Sequence, residues 1–199
     1  RPVGSIINTC FQVTSQNPSL AVSHNKNNYT LEAIRKTKRF SLSIIAEDSD
    51  PAVIGGFGYR SSRDCDKYED FGYTTVEGAP IVNGKFAGRL ILDAINFVDN
   101  ETHYVVFARL VETVQGEGTP MTYDYFHRVI KGKAPKNAPT YVEEDTKPAE
   151  EKTSAEDVKK HRYQCIVCGH IVEAEGNLPA DYTCPLCKAP KDRFERVLE

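Results

Sequence analysis

The sequence predicts a mainly β protein, in which a β-barrel domain with a few helices precedes a small domain held together by a metal ion. Two observations support this fold class. Runs rich in Val, Ile, Phe, Thr and Tyr recur through residues 1–140, and clusters of Gly, Asn and Asp separate them. Four of the six cysteines stand in two Cys-x-x-Cys pairs within residues 162–199. We therefore expect two domains of very different size.

The strands of the barrel are predicted for residues 5–13, 40–46, 88–97 and 102–114, where β-branched and aromatic side chains dominate. One helix is predicted for residues 29–38, because Leu31 and Ile34 would share a face and the basic residues lie late, where the helix dipole favours them. Strands and helices do not alternate in a βαβ rhythm, so a β-barrel fits best.

The composition is that of a globular protein, with 40% hydrophobic and 27% charged residues. A net charge of -3 is too small to indicate nucleic acid or an anionic membrane as the main partner. No apolar run approaches the roughly 20 residues that span a bilayer. Free thiols in metal-binding pairs persist in a reducing compartment, which predicts a cytoplasmic protein.

Residues 141–161 are predicted to be a flexible acidic linker, because acids and lysines crowd there with few large apolar side chains. The following domain, 162–199, is too short to fold on its apolar residues alone, since domains below about 40 residues usually need disulfides or a bound metal. A metal bound by four thiolates would meet this need. The candidate ligands are Cys165, Cys168, Cys184 and Cys187.

Two residues between paired cysteines let the backbone curl so that both sulfurs reach one ion. Gly169 suits a left-handed conformation after the first pair, and Pro185 stiffens the second. Two such knuckles give a tetrahedral four-sulfur site, which is typical of zinc or iron. The spacing alone leaves a structural zinc ribbon open.

The flanking residues resemble the rubredoxin family. The segments are Tyr163-Gln-Cys-Ile-Val-Cys-Gly169 and Cys184-Pro-Leu-Cys-Lys-Ala-Pro-Lys-Asp-Arg-Phe194. The resemblance implies a single iron in an Fe(Cys)4 centre, surrounded by Tyr163, Tyr182 and Phe194. The loop between the knuckles is shorter than in long rubredoxins, which often carry tryptophan where Tyr182 stands.

A polar segment, Ser23-His-Asn-Lys-Asn-Asn-Tyr-Thr30, lies between a predicted strand and the predicted helix. Free N–H groups at a helix N-terminus, with hydroxyls, amides and one lysine, form a phosphate cradle. Asn and Thr are also ordinary residues of an N-cap turn at a strand–helix junction. Taken alone, the pattern favours the N-cap turn over the phosphate site.

Asn8-Thr-Cys-Phe-Gln-Val-Thr-Ser, the segment around Ser23 and Phe57-Gly-Tyr-Arg-Ser-Ser-Arg63 resemble the flavin reductase family of FMN-binding split barrels, the last motif as in flavoredoxin. The resemblance implies that Asn8 and Thr9 lie against the isoalloxazine ring of FMN. It also implies a homodimer, and a further strand before Arg1, so we expect a truncated start. The residues it assigns to the ribityl phosphate are Ser23, Asn25, Lys26, Asn28 and Thr30.

Two other segments carry weaker expectations. His127 is either near a nicotinamide or flavin edge, or a structural histidine among aromatics. The mixed-charge stretch from Arg60 to Asp70, which includes Lys67, is interpreted as a solvated loop. No catalytic side chain is assigned.

The combined architecture resembles that of the high-molecular-weight rubredoxins. This implies electron flow from NAD(P)H through FMN to the iron, and on to an acceptor such as a flavodiiron oxygen or nitric oxide reductase. Two alternatives stay open. The chain is a pure electron carrier without NAD(P)H oxidation, or it is a flavin reductase with a structural zinc interaction module.

Overall fold

A computed structural model of the chain describes residues 1–130, 132, 134 and 160–197. The elements are, in chain order, β1 (Cys10–Thr14), β2 (Ser19–Asn25), α1 (Tyr29–Thr37), β3 (Arg39–Ile44), α2 (Ala52–Tyr59), β4 (Tyr73–Val76), β5 (Ala79–Val82), β6 (Gly88–Asn100), β7 (His103–Gln115), α3 (Tyr123–Arg128), β8 (Lys160–Cys165), β9 (Ile171–Glu175) and β10 (Phe194–Val197). None of the helices within these ranges has both the length and the apolar character needed to span a bilayer.

The large domain is built on an antiparallel five-stranded sheet with the order β1-β2-β7-β6-β3. The hairpin β4-β5 adjoins β3 through a hydrogen bond from the Ser41 hydroxyl to the Pro80 carbonyl. An isolated bridge joins Ala46, just after β3, to Pro120. These links continue the sheet into a partly closed barrel, so the predicted mainly β fold is confirmed.

Helix α1 confirms the predicted helix. Leu31 and Ile34 are buried and pack with Val22 of β2 and Val106 of β7. The helix ends because Lys38 adopts a left-handed conformation (φ 64°), from which its N–H donates to the Ile34 carbonyl.

The strand predicted for residues 5–13 forms only from Cys10 onward. The preceding residues bond elsewhere, since the Ile6 N–H donates to the carbonyl of Phe57 in α2 at 3.3 Å. The prediction was therefore wrong for residues 5–9. Local β-propensity was overridden by pairing with a helix that the sequence pattern did not indicate.

Helix α2 was missed because its sequence, AVIGGFGY, contains three glycines, which disfavour helix by about 1 kcal/mol each relative to alanine. Tertiary packing supports it instead. Val53 and Phe57 are buried in a cluster with Tyr68, Val82 and Phe86.

The small domain is a three-stranded sheet with the order β10-β8-β9. Its buried cluster contains all four paired cysteines, so the sulfur atoms form a large part of its core. The predicted linker, 141–161, lies outside the described residues except for Lys160 and His161, which begin β8.

Candidate metal centre and adjoining cavity

The four paired cysteines converge on one point. Their sulfur atoms lie within 4.8 Å of one another, and all four side chains are buried. Cys165 Sγ is 3.6 Å from Cys187 Sγ, and Cys168 Sγ is 3.6 Å from Cys184 Sγ. Four sulfurs at ~2.3 Å from a central ion would be about 3.8 Å apart, so these spacings fit a tetrahedral thiolate site.

The two knuckles have matching backbone geometry. Gly169 N–H donates to the Cys165 carbonyl at 2.7 Å, and Lys188 N–H donates to the Cys184 carbonyl at 2.9 Å. Gly169 (φ 80°) and Lys188 (φ 58°) are both left-handed, as predicted for Gly169. Each turn folds its two sulfurs toward the same side, which is what one shared ion requires.

The electrostatics of the cluster favour a cation. Hydrogen bonds from the Cys168 and Cys187 thiols hold the pKa of Cys184 well below its usual value. The contacts with Cys184 and Cys187, together with burial, raise the pKa of Cys168. The sulfurs are close enough for the charge on one thiolate to oppose ionisation of the next. A metal ion among them would stabilise all four as thiolates.

The three aromatic residues predicted around the centre surround it or support it. Phe194 packs against the cysteine cluster, and its ring meets that of Tyr182 edge-on at 5.3 Å. Tyr163 is buried, and its hydroxyl donates to the Gly176 carbonyl at 2.9 Å. That bond ties β8 to the turn after β9.

A cavity of about 1560 Å³ opens in the large domain. It is larger than most small-molecule sites, which measure ~300–1,000 Å³. Six of the seven predicted flavin-site residues line it, and they come from the segment before β1, from β2 and from the start of α1. The six are Asn8, Thr9, Ser23, Asn25, Asn28 and Thr30.

The polar segment before α1 forms an N-cap turn, and two of its side chains keep hydrogen-bond donors that the cap does not use. Asn28 Oδ1 accepts the Thr30 N–H at 2.9 Å, and Asn25 Oδ1 accepts the Asn27 N–H at 2.9 Å. Each amide uses its oxygen in these bonds, so its NH2 group is left as a donor. The two interpretations of this segment are therefore compatible, because capping and anion binding use different atoms.

Lys26 is the predicted site residue that does not line the cavity. Its ammonium pairs with Asp99 Oδ1 at 2.6 Å and lies 5.3 Å from the centre of the Tyr104 ring. Lys26 follows the last residue of β2 and lies in the turn before α1. Its charge is directed to β6 and β7.

Two buried polar atoms in the cavity wall have no hydrogen-bond partner among the described residues. They are Ser5 Oγ and His24 Nδ1. Burial, followed by the proximity of His103, lowers the pKa of His24 to about 4, so the ring is neutral near pH 7. Unpaired buried polar groups are costly. A polar ligand in the cavity would satisfy them, and the wall therefore fits a flavin nucleotide.

Lys67 was misinterpreted as part of a solvated loop. Its side chain is only 3% exposed, and its ammonium donates to the carbonyls of Gly4 at 2.9 Å and Phe57 at 3.0 Å. The Ser62 hydroxyl also bonds Gly4. These contacts hold the segment that leads to Asn8 and Thr9 against α2. Nothing in the local sequence distinguishes Lys67 from its charged neighbours.

His127 lies in α3, is exposed, and does not line the cavity. Its Nδ1 is 2.8 Å from the Gly132 carbonyl, and its ring meets Tyr123 edge-on at 4.3 Å. These contacts favour a structural histidine among aromatics over a cofactor contact.

The first cysteine knuckle forms part of the cavity wall. Gln164, Cys165, Ile166, Val167 and Gly169 line it together with the residues of the large domain. A candidate metal ligand and the predicted flavin residues therefore line the same open cavity.

Comparison with known proteins identifies the two parts. The model of the flavin reductase like domain matches residues 1–132, and that of the rubrerythrin, rubredoxin-like domain matches residues 163–195. The high molecular weight rubredoxin of Moorella thermoacetica is 35% identical over 210 residues, covering 98% of this chain and 89% of that protein. The chain belongs to the high molecular weight rubredoxin family.

Two further comparisons concern the large domain. The ferric-chelate reductase (NAD(P)H) of Archaeoglobus fulgidus is 31% identical over 145 residues, covering 72% of this chain and 86% of that protein. The solved structure of a nitrilotriacetate monooxygenase component B homologue from Mycobacterium thermoresistibile has a TM-score of 0.52. It is 20% identical and covers 75% of this chain and 82% of that chain. At that identity the likeness concerns the fold alone.

The two matched domains together make the chain an electron-transfer flavoprotein and an oxidoreductase. The predicted family and fold class are confirmed. The flavin-binding fold supports a flavin, and the rubredoxin-like domain with its four-cysteine cluster supports iron.

Proposed function

We propose that the chain takes electrons from NAD(P)H and passes them through FMN to one iron bound by Cys165, Cys168, Cys184 and Cys187. A separate acceptor protein then takes them from the iron. The observation that carries this proposal is the shared cavity, because the ligand Cys165 lines the same space as Asn8 and Thr9. Bound flavin accepts a two-electron hydride and releases electrons singly, which matches a one-electron iron centre.

FMN is proposed because the cavity wall at the start of α1 would suit a phosphate group. The N–H groups of Thr30 and Leu31 bond to Asn28 in the cap, so the proposed donors are the side chains around the helix N-terminus, those of Ser23, Asn25, Asn28 and Thr30. Asn8 and Thr9 then lie where the ring system would extend. Lys26 would affect the phosphate only through its electrostatic potential, because its ammonium is paired with Asp99.

The large domain would hold the flavin in a fixed wall. The Lys67 and Ser62 contacts to Gly4 fix the segment before Asn8, and the N-cap bond of Asn28 fixes the start of α1. A preformed wall lowers the entropy cost of binding. Joining both centres in one chain raises their effective concentration, so transfer to the iron does not depend on diffusion.

NAD(P)H is proposed as the donor because the name of the Archaeoglobus fulgidus relative includes it. The acceptor is proposed to be a flavodiiron protein. Ile166 is 50% exposed and Val167 is 44% exposed, so the first knuckle presents apolar surface beside the metal ligands. Such a patch suits transient protein docking.

A homodimer in the cytoplasm is also proposed. Apolar side chains are exposed on the sheet of the large domain, namely Phe11 on β1 and Ile95 and Val98 on β6. A second copy could cover them. The cysteines are all free thiols, which fits a reducing compartment.

An anaerobic titration tests the proposal. Purified protein is expected to contain one iron and one FMN per chain and to lose its flavin absorbance, then its iron absorbance, on addition of NADH or NADPH. A flavin that neither nucleotide bleaches would make the chain a pure carrier. A colourless four-cysteine domain containing zinc would make that domain a structural module.

A further inference from the structure

His24 lies near the end of β2 and is almost completely buried, with 5% of its surface exposed. Its side chain lines the cavity of the large domain. The imidazole Nδ1 is buried and has no hydrogen-bond partner within the part of the chain that the structure describes. Buried polar atoms are nearly always paired in folded proteins, because an unpaired one lowers stability. His24 therefore needs a partner that comes from inside the cavity.

The pairing of β1 with β2 places His24 between the two parts of the proposed flavin site. In this antiparallel pair Cys10 is opposite Val22. Asn8 and His24 each lie two residues further toward the same end of the pair. Asn8 is proposed to contact the ring system, while both chain neighbours of His24 are proposed to contact the phosphate. The ribityl chain is the part of FMN that joins the ring system to the phosphate.

The chemistry of His24 suits a hydroxyl group better than a phosphate. Burial, followed by the proximity of His103, lowers the pKa of His24 to about 4, so the ring has no positive charge to offer a phosphate near pH 7. A neutral Nδ1 either accepts a hydrogen bond or donates one, according to the tautomer. A hydroxyl group can donate and accept, so it pairs with either tautomer. The ribityl chain is a polyol and supplies such groups.

We propose that His24 binds a ribityl hydroxyl group of the flavin through Nδ1 and so fixes the chain between the ring system and the phosphate. The inference rests on the flavin-binding part of the proposed function. It does not depend on NAD(P)H, on the iron or on the acceptor. His24 belongs to the polar segment before α1, but neither the N-cap turn nor the phosphate site gives its side chain a function.

His103 on β7 provides a matched control. Its Nε2 is also buried without a partner among the residues described, and its Nδ1 is 2.8 Å from Thr102 Oγ1. Unlike His24, it does not line the cavity. The two histidines therefore share an unpaired buried nitrogen and differ in their access to a bound flavin. Removing the ring nitrogens should weaken flavin binding at His24 alone.

The test measures flavin binding to the full-length, iron-loaded chain after its flavin has been removed. The proteins are wild type, His24→Phe, His24→Asn and His103→Phe. The ligands are FMN, riboflavin, which lacks the phosphate, and lumiflavin, which has a methyl group in place of the ribityl chain. Phenylalanine keeps a ring without nitrogen, and asparagine places a polar atom close to the position of Nδ1. Fluorescence titration gives the dissociation constants, and calorimetry gives the stability of the flavin-free proteins.

His24→Phe should bind FMN and riboflavin at least about tenfold more weakly than wild type, which corresponds to about 1.4 kcal/mol. Its affinity for lumiflavin should be unchanged. His24→Asn should recover most of the lost affinity, and His103→Phe should match wild type with all three ligands. The flavin-free His24→Phe protein should be at least as stable as wild type, because an unpaired buried nitrogen has been replaced by carbon.

Equal FMN affinity in wild type and His24→Phe would overturn the proposal, and a loss of stability alone would make His24 a structural residue whose nitrogen is paired with water. An equal loss with lumiflavin would assign His24 to the ring system, and a loss confined to FMN would assign it to the phosphate. Either result would overturn the ribityl contact. Binding needs no electron donor, so a flavin that binds as expected but is not bleached by NADH or NADPH would overturn the proposed function alone.

Discussion

The two redox sites of this chain are built in opposite ways. The four-cysteine centre uses ligands from two short segments, each with two residues between its cysteines, and the sulfurs themselves fill much of the domain core. The flavin cavity takes its wall from the segment before β1, from β2, from α1 and from the loop after α2. One site is specified by local spacing, and the other by contacts between distant parts of the chain.

This difference should appear in stability. The small domain has few buried apolar side chains beyond Leu178, Leu186 and Ala189, so its folding depends on the metal. The large domain has separate apolar clusters under α1 and α2, which are independent of any metal. Loss of the metal should therefore affect one domain and spare the other.

The largest effect is expected for Cys168→Ala, which removes one of the four thiolates. A structural tetrahedral metal site contributes about 10–16 kcal/mol to folding in small domains. The variant should lose its iron and the protease resistance of residues 160–197, while NAD(P)H still bleaches the flavin. Metal analysis and limited proteolysis followed by mass spectrometry measure this.

The matched control is Cys65→Ser, which alters a half-buried thiol whose contact is with the Ser61 carbonyl. It should keep wild-type iron. A Cys168→Ala protein with full iron content and an intact small domain would contradict the comparison, since the domain would then fold without its metal.

The sequence allowed the local features to be predicted. The cysteine knuckles, the left-handed Gly169 and helix α1 all depend on residues within a few positions of one another. Contacts between distant residues could not be predicted. Lys67 meets Gly4 across 63 positions, and Lys26 meets Asp99 across 73. In both cases the partner decides whether a lysine is buried, paired or free to bind a ligand.

The next largest effect concerns the buried Lys67. Burial lowers its pKa to about 8 from the 10.5 of an exposed lysine. Between these values the unfolded chain holds a proton that the folded chain has released, so the free energy of unfolding should rise with pH. The rise should begin at about pH 7, because the folded group is already half deprotonated at its pKa, and it should reach about 3 kcal/mol by about pH 10.5.

Urea unfolding followed by flavin fluorescence, from pH 7 to pH 10.5, measures this effect in wild type and Lys67→Met. Methionine has similar length and no charge, so the difference between the two curves isolates Lys67 from other titrating groups. If the two proteins show the same pH dependence, the ammonium is not buried in solution and the wall of the cavity is looser than the structure indicates.

The smallest effect separates the two functions assigned to Asn28. Asn28→Ala removes the cap on α1 and should cost about 1 kcal/mol of unfolding free energy. Asn28→Asp keeps an oxygen to accept the Thr30 N–H, so its stability should equal that of wild type. Its carboxylate would repel a phosphate, so flavin affinity should fall about tenfold or more, an electrostatic cost of about 1.4 kcal/mol.

Calorimetric unfolding and flavin titration of the apoprotein distinguish these outcomes. An Asn28→Asp protein that binds FMN as tightly as wild type would leave Asn28 as a helix cap alone, because a phosphate at the start of α1 could not tolerate a second negative charge beside it.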